Sequence, residues 1–277
     1  MKNKNNELKK NFEGVQVHPN AFVDSNAELH DGVFISQGAV IGPNVTIGKG
    51  TEIGPNAVIT GKTQIGRNNK VFPNVFIGQD PQDLKYRGAP TEVIIGDDNT
   101  FRECVTINKA TDEGEKTIIG NNNLLMAYSH IGHNCELGNG IVLSNSVQVA
   151  GHVKVEDKAI IGGCLGIHQF VHIGYLAMIG GMTRVDRDVP PFCIAEGHPG
   201  RLRGLNRIGI KRSGLMENND VDLKILQSTW NLLFKSNNVM SEALEIAKKS
   251  KLDNASMKLC NFLKDSISKE RRGPMPL

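Results

Sequence analysis

The stretch Ala39-Val-Ile-Gly-Pro-Asn-Val-Thr-Ile-Gly-Lys-Gly-Thr-Glu-Ile-Gly-Pro-Asn-Ala-Val-Ile59 repeats itself every six residues. Isoleucine recurs at Ile41, Ile47, Ile53 and Ile59. A small or β-branched residue stands two places before each (Ala39, Val45, Thr51, Ala57), and Asn44, Gly50 and Asn56 follow three places after. A helix repeats its apolar face about every 3.6 residues and a sandwich strand about every two, so neither accounts for six.

Outward from this stretch the phase holds. Upstream it reads Val17, Val23, Leu29 and Ile35; downstream it reads Ile65, Val71 and Ile77. It resumes as Ile95, Phe101 and Ile107, then as Ile119, Leu125, Ile131, Leu137, Leu143, Val149, Val155, Ile161, Ile167, Ile173, Ile179 and Val185. Asp83, Ala89 and Glu113 interrupt the series and fall in two polar excursions, 79–90 and 108–116. Such a repeat predicts a β solenoid: short parallel strands, one flank per six residues and three flanks per turn. Each flank sends one large and one small residue inward, and Asn or Gly at the corner tolerates positive φ. No single turn could fold alone, because only stacked neighbours make the core continuous. At the spacing of stacked strands, about nine turns give a prism roughly 40 Å long.

Around the solenoid the organisation reads as a flexible tail over 1–14, the coil over 15–191, a Gly- and Arg-rich connector over 192–214, and a helical domain over 215–277. Val189-Pro190-Pro191 punctuates the end of the coil, since strands and helices both resist proline. Leu223, Leu226, Trp230, Leu233 and Phe234 have helical spacing, as do Ala243, Leu244, Ile246 and Ala247. Met257, Leu259, Phe262, Leu263 and Ile267 mark a third helical segment.

Composition narrows the function. A net charge of +3 and an aromatic content of 5% give neither the field nor the stacking surface for nucleic acid. Cys104, Cys135, Cys164, Cys193 and Cys260 are odd in number and lack CxxC spacing, which points to reduced thiols in a cytoplasmic protein. The Lys/Asn-rich start has no apolar segment of the kind found in signal peptides or anchors. No transmembrane segment is expected, because no apolar run approaches the roughly 20 residues needed to span a bilayer.

Histidines cluster. His130, His133, His152, His168 and His172 all lie outside the inward series. His133 and His152 are separated by one turn plus one residue, and His130 and His168 by two turns plus two, which places them along one edge. An isolated outward histidine is usually plain surface; a column of them suits chemistry. A neutral imidazole can act as general base toward a hydroxyl. Three imidazoles converging on one point could instead hold zinc. Both readings stand at this stage. In the first excursion, Asp83 and Lys85 are placed to bind a polar ligand; the second excursion reads equally well as a tolerated surface insertion.

The segment Asn123-Leu-Leu-Met-Ala-Tyr-Ser-His-Ile-Gly-His-Asn-Cys135 resembles the catalytic segment of the UDP-N-acetylglucosamine O-acyltransferases, which open lipid A synthesis. Further likeness lies in Gln82–Tyr86, Arg102–Asn108, Ala150–Val153, Ile161–Gly163, Ile167–Phe170 and Asp188–Pro191. The resemblance implies a left-handed parallel β-helix with a small C-terminal α-helical domain. It also implies transfer of a (R)-3-hydroxyacyl chain from the phosphopantetheine of acyl carrier protein to the sugar 3-hydroxyl, with no metal or redox cofactor. Carried over by position, it makes His133 the general base and the Gly151 backbone N–H the oxyanion donor. Asp83, Lys85, His130, His152, His168, Gln169, Asn206 and Arg212 would contact the nucleotide sugar or the acyl pantetheine, and Gly181 would set acyl length.

Three positions depart from the family's pattern: Asn134 where some relatives carry Asp, Ser213 in place of an arginine, and Ile208 where some carry Glu. The departures leave a 3-amino sugar nucleotide open as the acceptor. The resemblance also implies a homotrimer with sites in clefts between subunits. Lys211, Arg212, Lys248, Lys249 and Lys251 would complement an acidic carrier protein, although the last three also read as a solvated helix face. The sister N-acyltransferase and the bifunctional nucleotidyltransferases carry an additional N-terminal domain, for which a coil beginning near residue 15 leaves no room. A γ-class carbonic anhydrase and a non-catalytic scaffold are the remaining readings.

Overall fold

The computed structural model describes residues 14–217, 220–268 and 271–277; all but Gly14 of the expected N-terminal tail lies outside them. It divides into two units, residues 1–139 and residues 140–277.

In the first unit every strand is parallel to its neighbours, in three sheets. One stacks Gln16–Val17, Phe34–Ile35, Glu52–Ile53, Lys70–Val71, Thr100–Phe101 and Leu124–Leu125. The second runs from Phe22–Val23 to His130–Ile131, and the third from Glu28–Leu29 to Glu136–Leu137. Lys70 pairs with Glu52 below it and Thr100 above it, and Thr100 in turn with Leu124, all in register. The two excursions are therefore inserted in whole multiples of six, which is why the apolar phase survives them. The markers from Leu29 onward are buried, whereas Val17, whose strand has one neighbour among the described residues, is 39% exposed.

Corners fall where the small turn residues predict. Asn44, Asn56, Asn68 and Asn74 have φ between 54° and 59°, and Gly32, Gly38 and Gly50 are also positive. Asn20 and Asn26 turn differently: the Asn20 N–H bonds to His18 Nδ1 and the Asn26 N–H to the Asp24 carboxylate, side-chain turns that need no left-handed residue.

The small inward position carries a feature that periodicity does not announce. Thr51, Asn69, Asn99 and Asn123 are buried in one column. The Asn69 N–H bonds to Thr51 Oγ1, the Asn99 N–H to Asn69 Oδ1 and the Asn123 N–H to Asn99 Oδ1, at 2.9–3.1 Å. Their amide nitrogens donate to the carbonyls of Gly96, Gly120 and Gly138. The amides of Asn69 and Asn99 have a partner at both ends, as burial demands.

The second unit opens with the same short parallel strands and ends in helices. Here the structure departs from the expected end of the coil at 191 and from the expected connector. Cys193–Glu196 pairs in parallel with Met178–Ile179, and Arg201–Leu205 then returns antiparallel to it. Pro190 and Pro191 sit in the corner before this strand, where a missing N–H costs no ladder bond, and Phe192 completes the turn at φ 63°. Helix α1 (Arg207–Arg212) follows, so 192–214 is mostly regular structure.

The three helical segments are α2 (Leu223–Lys235), α3 (Met240–Lys248) and α4 (Asn254–Ser266). Asp222 and Asp253 cap α2 and α4 through their first free N–H groups. Leu226, Trp230, Leu233, Ala243, Leu244, Ala247, Leu259 and Leu263 are their buried face. Asp188 ties the chain end to the coil: its carboxylate accepts from the His172 N–H, from Ser266 Oγ and from both arms of Arg271.

Candidate active site

In the first unit the strand His130–Ile131 delivers two imidazoles to one corner. His130 Nδ1 lies 2.7 Å from Thr106 Oγ1 on the neighbouring strand. Burial lowers the His130 pKa, and the nearby His133 lowers it further, so this ring is held neutral. His133 is more enclosed than the loop around it, its side chain 13% exposed. Its Nδ1 lies 2.8 Å from Asn134 Oδ1, and its Nε2 lies 3.9 Å from Asp83 Oδ2.

Asp83 reaches that position because the first excursion is a built loop. The Asp83 carboxylate accepts the Lys85 N–H, and the Asp83 carbonyl accepts that of Tyr86. Tyr86 closes the turn by donating its hydroxyl to the Ala89 carbonyl. Underneath, Lys109 pairs with Asp80 at 2.8 Å and lies 5.4 Å from the centre of the Tyr86 ring. Burial alone would lower the Lys109 pKa, but Asp80 and Tyr86 outweigh it and raise it. Asn108 holds the Asp80 carbonyl from the adjoining strand. Lys85 itself is exposed.

The second excursion reaches the same histidine by another route. Asn134 is a corner residue at φ 60° whose N–H bonds to Thr117 Oγ1. Its Oδ1 accepts from the Thr111 N–H and hydroxyl, and its Nδ2 donates to Glu115. The spacing of residues alone did not single out Thr111 or Glu115; the only hint was the departure at Asn134, which removes a carboxylate and leaves an amide to be oriented.

The remaining expected residues lie in the second unit. Gly151 is buried and its carbonyl accepts the Phe170 N–H; His152, a corner at φ 58°, stacks on Phe170 at 4.7 Å. His168 Nδ1 lies 3.1 Å from the Gln169 carbonyl, an acceptor, and its Nε2 lies 3.3 Å from Arg272 Nη2, a donor. The ring is thereby fixed as the Nδ1–H tautomer. Arg272 was not anticipated; it belongs to a segment that Asp188 and Arg271 bring alongside. Gln169 is exposed, as are Gly181 and Arg212. Asn206 differs from the others: it is buried, caps α1 by accepting the Gly209 N–H, and donates to the Leu176 carbonyl.

A family model described as Udp N-acetylglucosamine O-acyltransferase, domain 2, matches residues 188–275. The acyl-[acyl-carrier-protein]–UDP-N-acetylglucosamine O-acyltransferase of Gloeothece citriformis is 50% identical over 209 residues, 75% of each chain. This chain belongs to the UDP-N-acetylglucosamine O-acyltransferase family. The relative of the same name from Synechocystis sp. is 49% identical over 209 residues, again 75% of each chain. Bacterial transferase hexapeptide repeats match residues 26–61, 44–79 and 116–151. Among solved structures, LpxA from Acinetobacter baumannii is 36% identical with a TM-score of 0.87, covering 95% of this chain and 100% of that one. The Francisella novicida acyltransferase is 35% identical with the same TM-score, covering 95% and 94%. The fold is the family's: a left-handed parallel β-helix with a small C-terminal helical region.

Proposed function

We propose that this chain transfers a (R)-3-hydroxyacyl group from acyl carrier protein to the 3-hydroxyl of UDP-N-acetylglucosamine, as the names of its relatives indicate for donor and acceptor. The observation that carries the reading is His133, whose Nδ1 lies 2.8 Å from Asn134 Oδ1 and whose Nε2 lies on the side of Asp83, 3.9 Å from its carboxylate. Nε2 takes the proton of the sugar hydroxyl while that oxygen attacks the thioester carbonyl. An ester C–O bond forms, the C–S bond breaks, and the imidazolium returns its proton to the departing pantetheine thiolate. The Gly151 N–H stabilises the oxyanion, and a glycine there lets the carbonyl approach the main chain.

Asp83, Lys85, His130, His152, His168, Gln169, Asn206 and Arg212 are proposed to position the two substrates. Asn206 does so indirectly, as the cap of the helix that carries Arg212. Lys211, Arg212, Lys248, Lys249 and Lys251 are all exposed and suit an acidic carrier protein. Assembly into a homotrimer follows the family's pattern, and light scattering on the eluting protein would show three times 30.2 kDa.

The test is product mass by liquid chromatography–mass spectrometry, using (R)-3-hydroxyacyl carrier proteins of several lengths and two acceptors, UDP-N-acetylglucosamine and its 3-amino analogue. An acylated UDP-N-acetylglucosamine supports the reading. Product from the amino analogue alone moves the acceptor, and product from neither overturns the reaction.

A further inference from the structure

We propose that Glu115 and Thr111 are positioning residues which, through Asn134, hold His133 in the tautomer that carries its proton on Nδ1 and its lone pair on Nε2. The inference rests on the reading of His133 as the general base and adds what keeps that base in its working form.

An aspartate beside a histidine fixes the tautomer unaided, since a carboxylate can only accept. An amide cannot, because one end accepts and the other donates. If Asn134 turned its Nδ2 toward the ring, His133 Nδ1 would have to accept, the proton would move to Nε2, and that atom could no longer act as a base. Two groups with a single polarity prevent this. The Thr111 backbone N–H can only donate, and it reaches Asn134 Oδ1 at 3.1 Å. The Glu115 carboxylate accepts from Asn134 Nδ2. Both place the amide oxygen inward, where it lies 2.8 Å from His133 Nδ1. That nitrogen must then donate, and the lone pair lies on Nε2. The Thr111 hydroxyl adds a second donor at 3.0 Å, and the bond from the Asn134 N–H to Thr117 keeps the corner in place. The excursion over 108–116 thus supplies the polarity that a carboxylate at position 134 would have supplied alone.

The decisive variant is Glu115→Lys, which puts a donor where the acceptor stood, at an exposed position that tolerates the exchange. Nitrogen-15 spectra of histidine-labelled protein, with the His133 signals identified by their loss in His133→Ala, report the tautomer whether or not the enzyme turns over. The wild type should show a protonated Nδ1 at His133. In Glu115→Lys the proton should move to Nε2 in a large share of molecules, and kcat should fall at least tenfold with KM little changed. Glu115→Gln, whose amide oxygen can still accept, should lose only a few-fold. Adding Asn134→Asp to Glu115→Lys should restore both the Nδ1–H form and most of kcat, because a carboxylate accepts from the ring and from the new ammonium together. A merely structural role would not be rescued this way. Should Glu115→Lys unfold, Glu115→Ala carries the test and should show both tautomers. A His133 ring that stays Nδ1-protonated in these variants overturns the proposal. A ring that changes tautomer while kcat holds upholds the positioning and removes His133 as the base.

Discussion

Inside the first unit, Asn69, Asn99 and Asn123 stand in a column, their amides bonded to main chain and to one another. At a corner of the same unit, Asn134 has the same side chain and as full a set of partners, but one partner is an imidazole. In the column the amides neutralise the backbone of successive turns, and nothing outside the protein depends on which way they point. At the corner the orientation decides which ring nitrogen carries a proton. The difference lies in what an amide touches, so a substitution in the column should act on stability and one at the corner on chemistry.

The sharpest way to break that contrast is His133→Ala. Removing the base should reduce kcat by about a thousandfold, within the range of general-base effects, while the melting temperature stays within a degree or two. An active variant would sink the assignment, and a large fall in melting temperature would merge the corner with the column.

Asn99→Ala is the converse. It leaves the Gly120 carbonyl and the Asn123 N–H buried without their present partners. Two such groups cost roughly 2–4 kcal/mol together. Denaturant titration should show that loss while the folded fraction keeps its kcat. A change below about 1 kcal/mol would mean that water or neighbouring side chains replace the amide.

These two residues also show how far the sequence carried the reading. The six-residue period gave the coil, its inward faces and most corners, because each strand repeats the same steric demand on the same position. The column did not emerge from the period, since a buried asparagine obeys the size rule while breaking the polarity rule. His133 and His130 were found through clustering and resemblance. Glu115 and Thr111 were not, because their role is set by a fold-back of the excursion that no local pattern encodes. The extra strands after Pro191 escaped for another reason: the prolines sit at a corner, and read along the chain a corner and a terminus look alike.

Gly181→Met extends the comparison to a corner with no polar duty. Gly181 is exposed, and a Cβ there would lie 3.3 Å from the Gly163 carbonyl oxygen, so the added side chain must lean outward. If this position limits the acyl chain, the variant should favour a shorter donor by about tenfold in kcat/KM, roughly 1.4 kcal/mol. Competition between two acyl carrier proteins, read by product mass, checks it. An unchanged preference removes Gly181 from the acyl path.

Glu156 tests the smallest effect and a third kind of polar cluster. Its carboxylate lies 2.9 Å from His172 Nε2 and 3.4 Å from Lys258 Nζ of α4, and it accepts the Tyr175 N–H. Burial pushes its pKa up, but His172, Lys258 and that N–H together pull it below its ordinary value of 4.5. A carboxyl depressed in the folded state adds stability above its unfolded pKa and loses it as pH falls through the lower folded value. Glu156→Gln should therefore cost about 1 kcal/mol near pH 7, and its melting temperature should converge on the wild type's as pH drops below 4.5. A gap that persists at low pH would mean that Glu156 acts through packing and the Tyr175 bond rather than through charge, which would class it with the interior asparagines.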